Sequence, residues 1–272
     1  MMQTLYQQLA SASLADTLTR LENDIKSQPA NADLRAAFVQ LLCLAGNWGR
    51  ALIQLKSWLA LKPQAKPTIT LLEQAIAGEQ QRIEVMAGRA RPNMPDTQWP
   101  WLAPLLAALS ARDAEAAGAQ RAAAFEEAEL NPGELRSQDG AHRFDWLMDG
   151  DARLGPVCEI IVNGRYFWLP FSAIAEMRFQ APASVTDLVW RHTSVRLVDG
   201  TEQVCQIPAR YPLTEDAEER FLLARATEWQ AINGAGEQYL GLGQKVWLND
   251  GDEFPLLSLE SLTFGTDEDG HE

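Results

Sequence analysis

A chain of 272 residues with 46% hydrophobic and 22% charged side chains is globular material, long enough that two hydrophobic cores are expected. Its formal charge of -14, with no basic stripe, disfavours phosphate backbones and anionic membrane surfaces and favours a basic or apolar partner. No stretch approaches the roughly 18 apolar residues of a membrane span, and the N-terminus lacks the basic flank and apolar core of an export signal.

The first half predicts helices. Leu5 and Leu9, then Leu14, Leu18, Leu21 and Ile25, form the stripe of an amphipathic helix pair closed by Pro29. Leu34, Phe38, Leu41, Leu42 and Ala45 mark the next helix, with Asn31 or Asp33 as cap and Gly46-Asn47 as exit. Trp48, Ala51, Leu52, Leu55 and Leu59 mark the one after, ending before Pro63. Pro29 and Pro63 lie 34 residues apart, and the same shift lays Leu18 on Leu52, Leu21 on Leu55 and Ile25 on Leu59. That is the period of the tetratricopeptide helix pair, and Ala51 holds the place of the alanine that packs its second helix on its first. The stretch resembles that family, although Arg35 and Val39 stand where its large aromatic and glycine would be.

Ile69, Leu72, Ile76, Ile83 and Met86 belong to a further helix ended by Gly88 and Pro92. The segment RPNMPDTQWP is a connector, since prolines at that density cannot sustain a helix. Trp101, Leu102, Leu105, Leu106 and Leu109 open another helix, and an alanine-rich one from Asp113 to Leu130 completes a last pair. About seven helices thus occupy residues 1–135, a tetratricopeptide-like helical domain with a concave surface.

Residues 136–272 predict an α+β domain with a mostly antiparallel sheet and an acidic tail, Asp267-Glu268-Asp269 with Glu272. Its centre is FDWLMDGDARLGPVCEIIVNGRYFWLPF, Phe144 to Phe171. Val157 to Val162, relieved only by Glu159, and Tyr166 to Leu169 flank Asn163-Gly164, a strong hairpin signal because both turn residues need positive φ. Ser172 to Phe179 reads as a short helix. Ser194 to Val198 and Gln203 to Ile207 are strands around Asp199-Gly200, and IPARYP, Ile207 to Pro212, is a loop. Asp216 to Trp229 reads as a helix capped by Thr214 or Asp216, followed by strands Lys245 to Leu248 and Glu253 to Leu257.

Chemistry is sparse. Cys43, Cys158 and Cys205 are dispersed and lack CxxC spacing, so buried free thiols in a reducing cytoplasm are expected. His142, His192 and His271 have no second ligand at metal-binding spacing, and neither a Gly-x-Ser-x-Gly elbow nor a convincing phosphate loop is present. Gly241 to Lys245 has glycines and a lysine but leads into a strand. Asp145, Asp149 and Asp151, near Arg153, could serve acid/base chemistry, but acids in such a glycine-containing segment usually cap turns. Trp146, Trp168, Trp190, Trp229 and Trp247 crowd the second half, several beside arginine, the composition of binding hot spots and equally of a small core.

The motifs FDWLMDGDARLGPVCEIIVNGRYFWLPFSAI, DLVW, IPARYP, LARATEW and GLGQKVWL, in that order, are similar to the ImpE or SciE family, also called TagJ, of bacterial type VI secretion. The resemblance implies a cytoplasmic, non-enzymatic accessory protein without cofactor. It would bind the small sheath subunit TssB (VipA) through a helix near that subunit's N-terminus, with a further link to the ClpV-type ATPase. It supplies no catalytic or contact residues. Physical reasoning nominates Trp48 and Trp58 on the stack, and Arg165, Tyr166, Trp168, Trp190, Arg210 and Tyr211 on the sheet module, as anchors for an amphipathic helix. That helix would lie on the concave side of the stack or at its junction with the sheet module. Rival readings are a small-molecule enzyme with a pocket around the 144–171 hairpin, and a scaffold joining two proteins.

Overall fold

The computed structural model describes residues 4–95 and 99–265, so the acidic tail and His271 lie outside the described residues. Seven helices come first: α1 (Leu5–Ser11), α2 (Leu14–Ser27), α3 (Ala32–Leu44), α4 (Trp48–Leu61), α5 (Lys66–Met86), α6 (Leu102–Ser110) and α7 (Ala114–Glu127). Side chains that accept from free N–H groups start five of them: Thr4, Ser13, Asn31, Asn47 and Asp113. Asn31, not Asp33, caps α3. Helices α2 and α4 are each 14 residues long and begin at residues 14 and 48, so the 34-residue repeat read from the prolines exists in space. Ala51 is fully buried. Neighbours pack in sequence order from α1 to α5, and α6 pairs with α7.

Thirteen described strands follow: β1 (Gly133–Ser137), β2 (Gly140–Phe144), β3 (Met148–Asp149), β4 (Val157–Val162), β5 (Arg165–Pro170), β6 (Ile174–Phe179), β7 (Trp190–Leu197), β8 (Glu202–Pro208), β9 (Thr227–Ala231), β10 (Tyr239–Gly243), β11 (Val246–Leu248), β12 (Glu253–Pro255) and β13 (Leu259–Phe264). A four-residue helix, α8 (Glu219–Leu222), interrupts them. Eight strands form one sheet in the order β2-β1-β13-β6-β7-β8-β4-β5; β12-β11-β3 and β10-β9 are smaller sheets. All the named strand pairs are antiparallel, and the architecture is α+β. The hairpin read from Asn163-Gly164 is present as β4 and β5, with φ of 49° and 79° at its turn.

One expected helix is absent and another is cut short. Ser172 to Phe179 is a single tight turn, Phe171–Ala173, followed by β6, whose Ile174, Met177 and Phe179 face a core. The helix expected over Asp216 to Trp229 shrinks to α8, with Glu218 rather than Thr214 or Asp216 before its first residue. Ala224 takes a φ of 50° and the Arg225 N–H bonds the Arg220 carbonyl at 2.8 Å, closing the helix in a left-handed turn that alanine does not advertise. Trp229 then lies on β9.

Helix gives way to strand between Glu127 and Gly133, yet the core does not divide there. One apolar cluster joins Leu41, Leu55, Ile76 and Val85 of the helices to Val157, Ile161, Trp168 and Trp190 of the sheet. A second cluster, with Leu135, Met177, Val195, Trp247 and Leu262, lies on one face of the large sheet. Helix α5 packs on β4 and β5, and α3 packs on the turn at Val185–Leu188. Gly78 permits the first contact, since a Cβ there would stand 2.4 Å from Ile161. The chain's own sheet therefore packs against these helices through α5 and α3.

Candidate functional site at the helix–sheet junction

A buried network of charges ties α5 to the sheet. Arg82 grips Glu159 of β4 with two bonds, Nε to Oε2 at 2.7 Å and Nη2 to Oε1 at 2.6 Å, and bonds Glu79 one turn back at 2.8 Å. Lys245 Nζ sits 2.8 Å from Glu159 and 2.6 Å from Asp149. The Tyr166 hydroxyl donates to Glu159 and accepts from Trp168 Nε1, while Trp190 Nε1 donates to Glu79. Tyr211 donates to Asp149 at 3.1 Å, and Asp151 holds Arg153 and accepts from the Gly241 N–H. Arg210 has carbonyl partners, donating to Cys43 and Leu44 at the end of α3 and to Leu222 of α8, where helix dipoles favour a cation.

Four cations, Arg82, Arg153, Arg210 and Lys245, thus balance four carboxylates, Glu79, Asp149, Asp151 and Glu159. Burial pushes the Glu159 carboxyl up, but Arg82 and Lys245 outweigh it and hold it at about 2. Burial wins at Asp149, which rises to about 6 against the pull of Lys245. Burial also lowers Arg210 to about 10. Asp149 has the raised pKa of a catalytic acid, but it is 3% exposed and its oxygens are taken by Lys245, Tyr211 and the Asp151 N–H. The cluster is a pin between helices and sheet.

Beside this pin lies an open groove of about 570 Å³. Ile83 and Met86 of α5 line it, with Trp48 and the α3–α4 turn on one side and Leu213, Thr214, Glu215 and Ala217 on the other. Ile83 is 41% exposed. Trp48 leans on Trp190 with ring centroids 5.5 Å apart.

The structure separates the eight nominated anchors. Tyr166, Trp168, Trp190, Arg210 and Tyr211 are 0–2% exposed, and Trp58 is 7% exposed. In this fold they are core and pin residues, with indole, phenol and guanidinium groups bonded inward or packed. Arg165 is exposed on the β4–β5 hairpin, bonded to Asn93 and stacked over Phe167. Trp48 alone of the eight lines the junction groove. Sequence reasoning missed Glu79 and Arg82, met Lys245 as the lysine of a discounted phosphate loop, and met Glu159 only as an interruption in an apolar run. A charge inside such a run, and an Arg at i+3 from a Glu on a mostly apolar helix, are the signals that could have found them.

Among the described residues no group of three or more His, Cys, Asp or Glu side chains is arranged to hold a metal. No described helix is long and apolar enough to cross a membrane. All three cysteines are free and buried, and burial raises the Cys43 and Cys205 thiols to about 12.

The sequence model of the ImpE protein family matches residues 141–263. The type VI secretion system accessory component TagJ of Pseudomonas aeruginosa is 41% identical over 261 residues, which is 94% of this chain and 89% of that protein. The crystal structure of protein VPA1032 from Vibrio parahaemolyticus superposes with a TM-score of 0.85 at 26% identity, covering 97% of this chain and 98% of that one. With a relative this similar along nearly its whole length, the chain belongs to the ImpE family.

Proposed function

We propose that this protein is a non-enzymatic, cytoplasmic accessory protein of a type VI secretion system that docks an amphipathic helix of the small sheath subunit, TssB (VipA), in the junction groove. Assistance to sheath assembly, or to disassembly by the ClpV-type ATPase, would follow from that docking. Kinship with TagJ supports the secretion role. The observation that carries the mechanism is the groove itself, apolar along Trp48, Ile83, Met86 and Leu213 and edged by Glu215. That combination suits the helix-in-groove mode, in which anchors at i, i+3 or i+4 and i+7 fill an apolar trough. Glu215 at the edge and a net charge of -14 favour a helix with basic flanks.

The test is fluorescence anisotropy with a labelled peptide covering the N-terminal helix of the sheath subunit. Ile83→Glu places a charge in the trough and is expected to weaken binding at least ~10-fold, as burying an unpaired charge at an anchor does. Ile53→Glu, on an exposed part of α4, is expected to leave it unchanged. The association rate should fall as salt rises. Peptide binding that ignores Ile83→Glu would remove the groove from the mechanism.

A further inference from the structure

A second, smaller cavity of about 150 Å³ lies over β7 and β8 where α3, α4 and α5 meet the large sheet. Two residues of a cross-strand pair line it: His192 of β7 stands opposite Gln206 of β8, and Ile161, opposite Gln206 on β4, puts both on the sheet face that meets α5. Trp58 of α4, Leu72 of α5 and Gln40 of α3 add walls, with Ser184 and Thr186 at the Val185–Leu188 turn. Leu71, 48% exposed, is the most exposed of the apolar lining residues.

Gln206 is the unusual member. It is 7% exposed and lines the cavity, yet its amide has no hydrogen-bond partner among the described residues. A buried amide left unpaired is costly, so native structures rarely keep one without a role. The Trp58 Nε1–H is also buried without a partner. Gln40 bonds back to the Ala36 carbonyl through Nε2 at 3.4 Å, which leaves its Oε1 with no donor among the described residues. The Ser184 and Thr186 hydroxyls, by contrast, satisfy each other at 2.6 Å.

These groups restrict the guest. An amide presents an acceptor and a donor side by side, and both are met at once by a group that offers a donor and an acceptor at the same spacing. A carboxylate only accepts and an ammonium only donates. Either would also enter a site with no Asp, Glu, Lys or Arg in its lining to offset the charge. A nucleobase edge has the right pairing, but a cavity of about 150 Å³ is filled by a benzene-sized guest, so a base with its sugar is too large. A primary carboxamide on a short apolar stem meets both limits.

We propose that this cavity binds a primary carboxamide, paired head to head with Gln206, which belongs either to free glutamine or to a glutamine or asparagine side chain of a protein segment. No residue lines both this cavity and the junction groove, so its occupancy does not depend on helix docking.

The full chain is titrated with propionamide, the side-chain analogue of glutamine, and with propionate, and binding is followed by saturation-transfer NMR. Propionamide is expected to bind with a roughly millimolar Kd, as suits so small a ligand, and propionate at least ~10-fold more weakly. Gln206→Leu is expected to weaken propionamide at least ~10-fold. Leucine is close in size and leaves no amide unpaired, so circular dichroism should show that variant folded. Ile83→Glu, which disables the junction groove, should leave propionamide binding unchanged. Equal binding of the two probes overturns the proposal, as does propionamide binding that survives Gln206→Leu. Absence of propionamide binding well above the millimolar range overturns it too and leaves the cavity to water. Free glutamine and a capped leucine–glutamine dipeptide then separate the two sources. Tighter binding of the dipeptide that Leu71→Glu removes assigns the site to a protein segment, and tighter binding of glutamine that Leu71→Glu spares assigns it to the free amino acid.

Discussion

Two oxygens of Glu159 receive Arg82, Lys245 and Tyr166 at distances of 2.6–2.8 Å, and that saturation is why a carboxylate can sit in an apolar strand. Its value of about 2 lies below an ordinary 4.5, so its contribution to stability is complete above pH 4.5 and is lost as pH falls towards 2. Asp149 has the opposite sign. With a folded value of about 6 against an ordinary 3.8, it favours the fold below pH 3.8 and that contribution disappears as pH rises through 6. At about 1.4 kcal/mol per pKa unit, each effect is on the order of 3 kcal/mol. Urea unfolding between pH 4 and 6 should therefore show a decline with rising pH that Asp149→Asn flattens. An identical slope in that variant would contradict the assignment. None of this was legible from the hairpin's Asp149, Asp151 and Arg153 alone, because Lys245 and Tyr211 reach them from distant parts of the chain.

At the scale of elements, local signals succeeded where one residue type dictates backbone geometry. Asn163-Gly164 announced β4 and β5, and the spacing of Pro29 and Pro63 announced the repeat of α2 and α4. They failed where packing overruled periodicity. The helical spacing of Phe221, Leu222, Arg225 and Trp229 was broken by a left-handed alanine, and β6 was hidden because its apolar residues also fit a helix. Two alanine substitutions separate the causes. Gly164→Ala has room, its nearest neighbour being Gln74 at 3.6 Å, so it should lose only the left-handed penalty of about 1–2 kcal/mol in thermal unfolding. Gly78→Ala would gain up to about 1 kcal/mol of helix propensity in an isolated helix. Against Ile161 at 2.4 Å the overpacking, typically about 1–3 kcal/mol, is expected to win and reverse the sign. A more stable Gly78→Ala protein would show that α5 does not close tightly on β4.

For the whole molecule, the buried pin and the shared apolar cluster make helices and sheet one unit. Calorimetry is expected to give a single unfolding transition with calorimetric and van't Hoff enthalpies equal, since unfolding either part alone would leave Arg82 or Glu159 buried or hydrated without its partner. Two separable transitions would disprove that coupling. The same arithmetic explains why point substitutions in the groove test docking more cleanly than truncation near residue 135. A chain cut there exposes Ile76, Val85 and the Glu79–Arg82 pair along with any docking surface.

Composition, charge, caps, the 34-residue repeat and the Asn-Gly hairpin determined the α+β class and the order of helices before strands, because each is a short-range consequence of residue type. The ordered second-half motifs carried the family. Only the tertiary structure decided what the tryptophans and arginines do. Whether Trp168 anchors a partner or fills a core depends on what lies across the fold, and α5 lies there. The junction groove likewise arises from helices and a loop far apart in sequence brought side by side, a relation that no local spacing encodes.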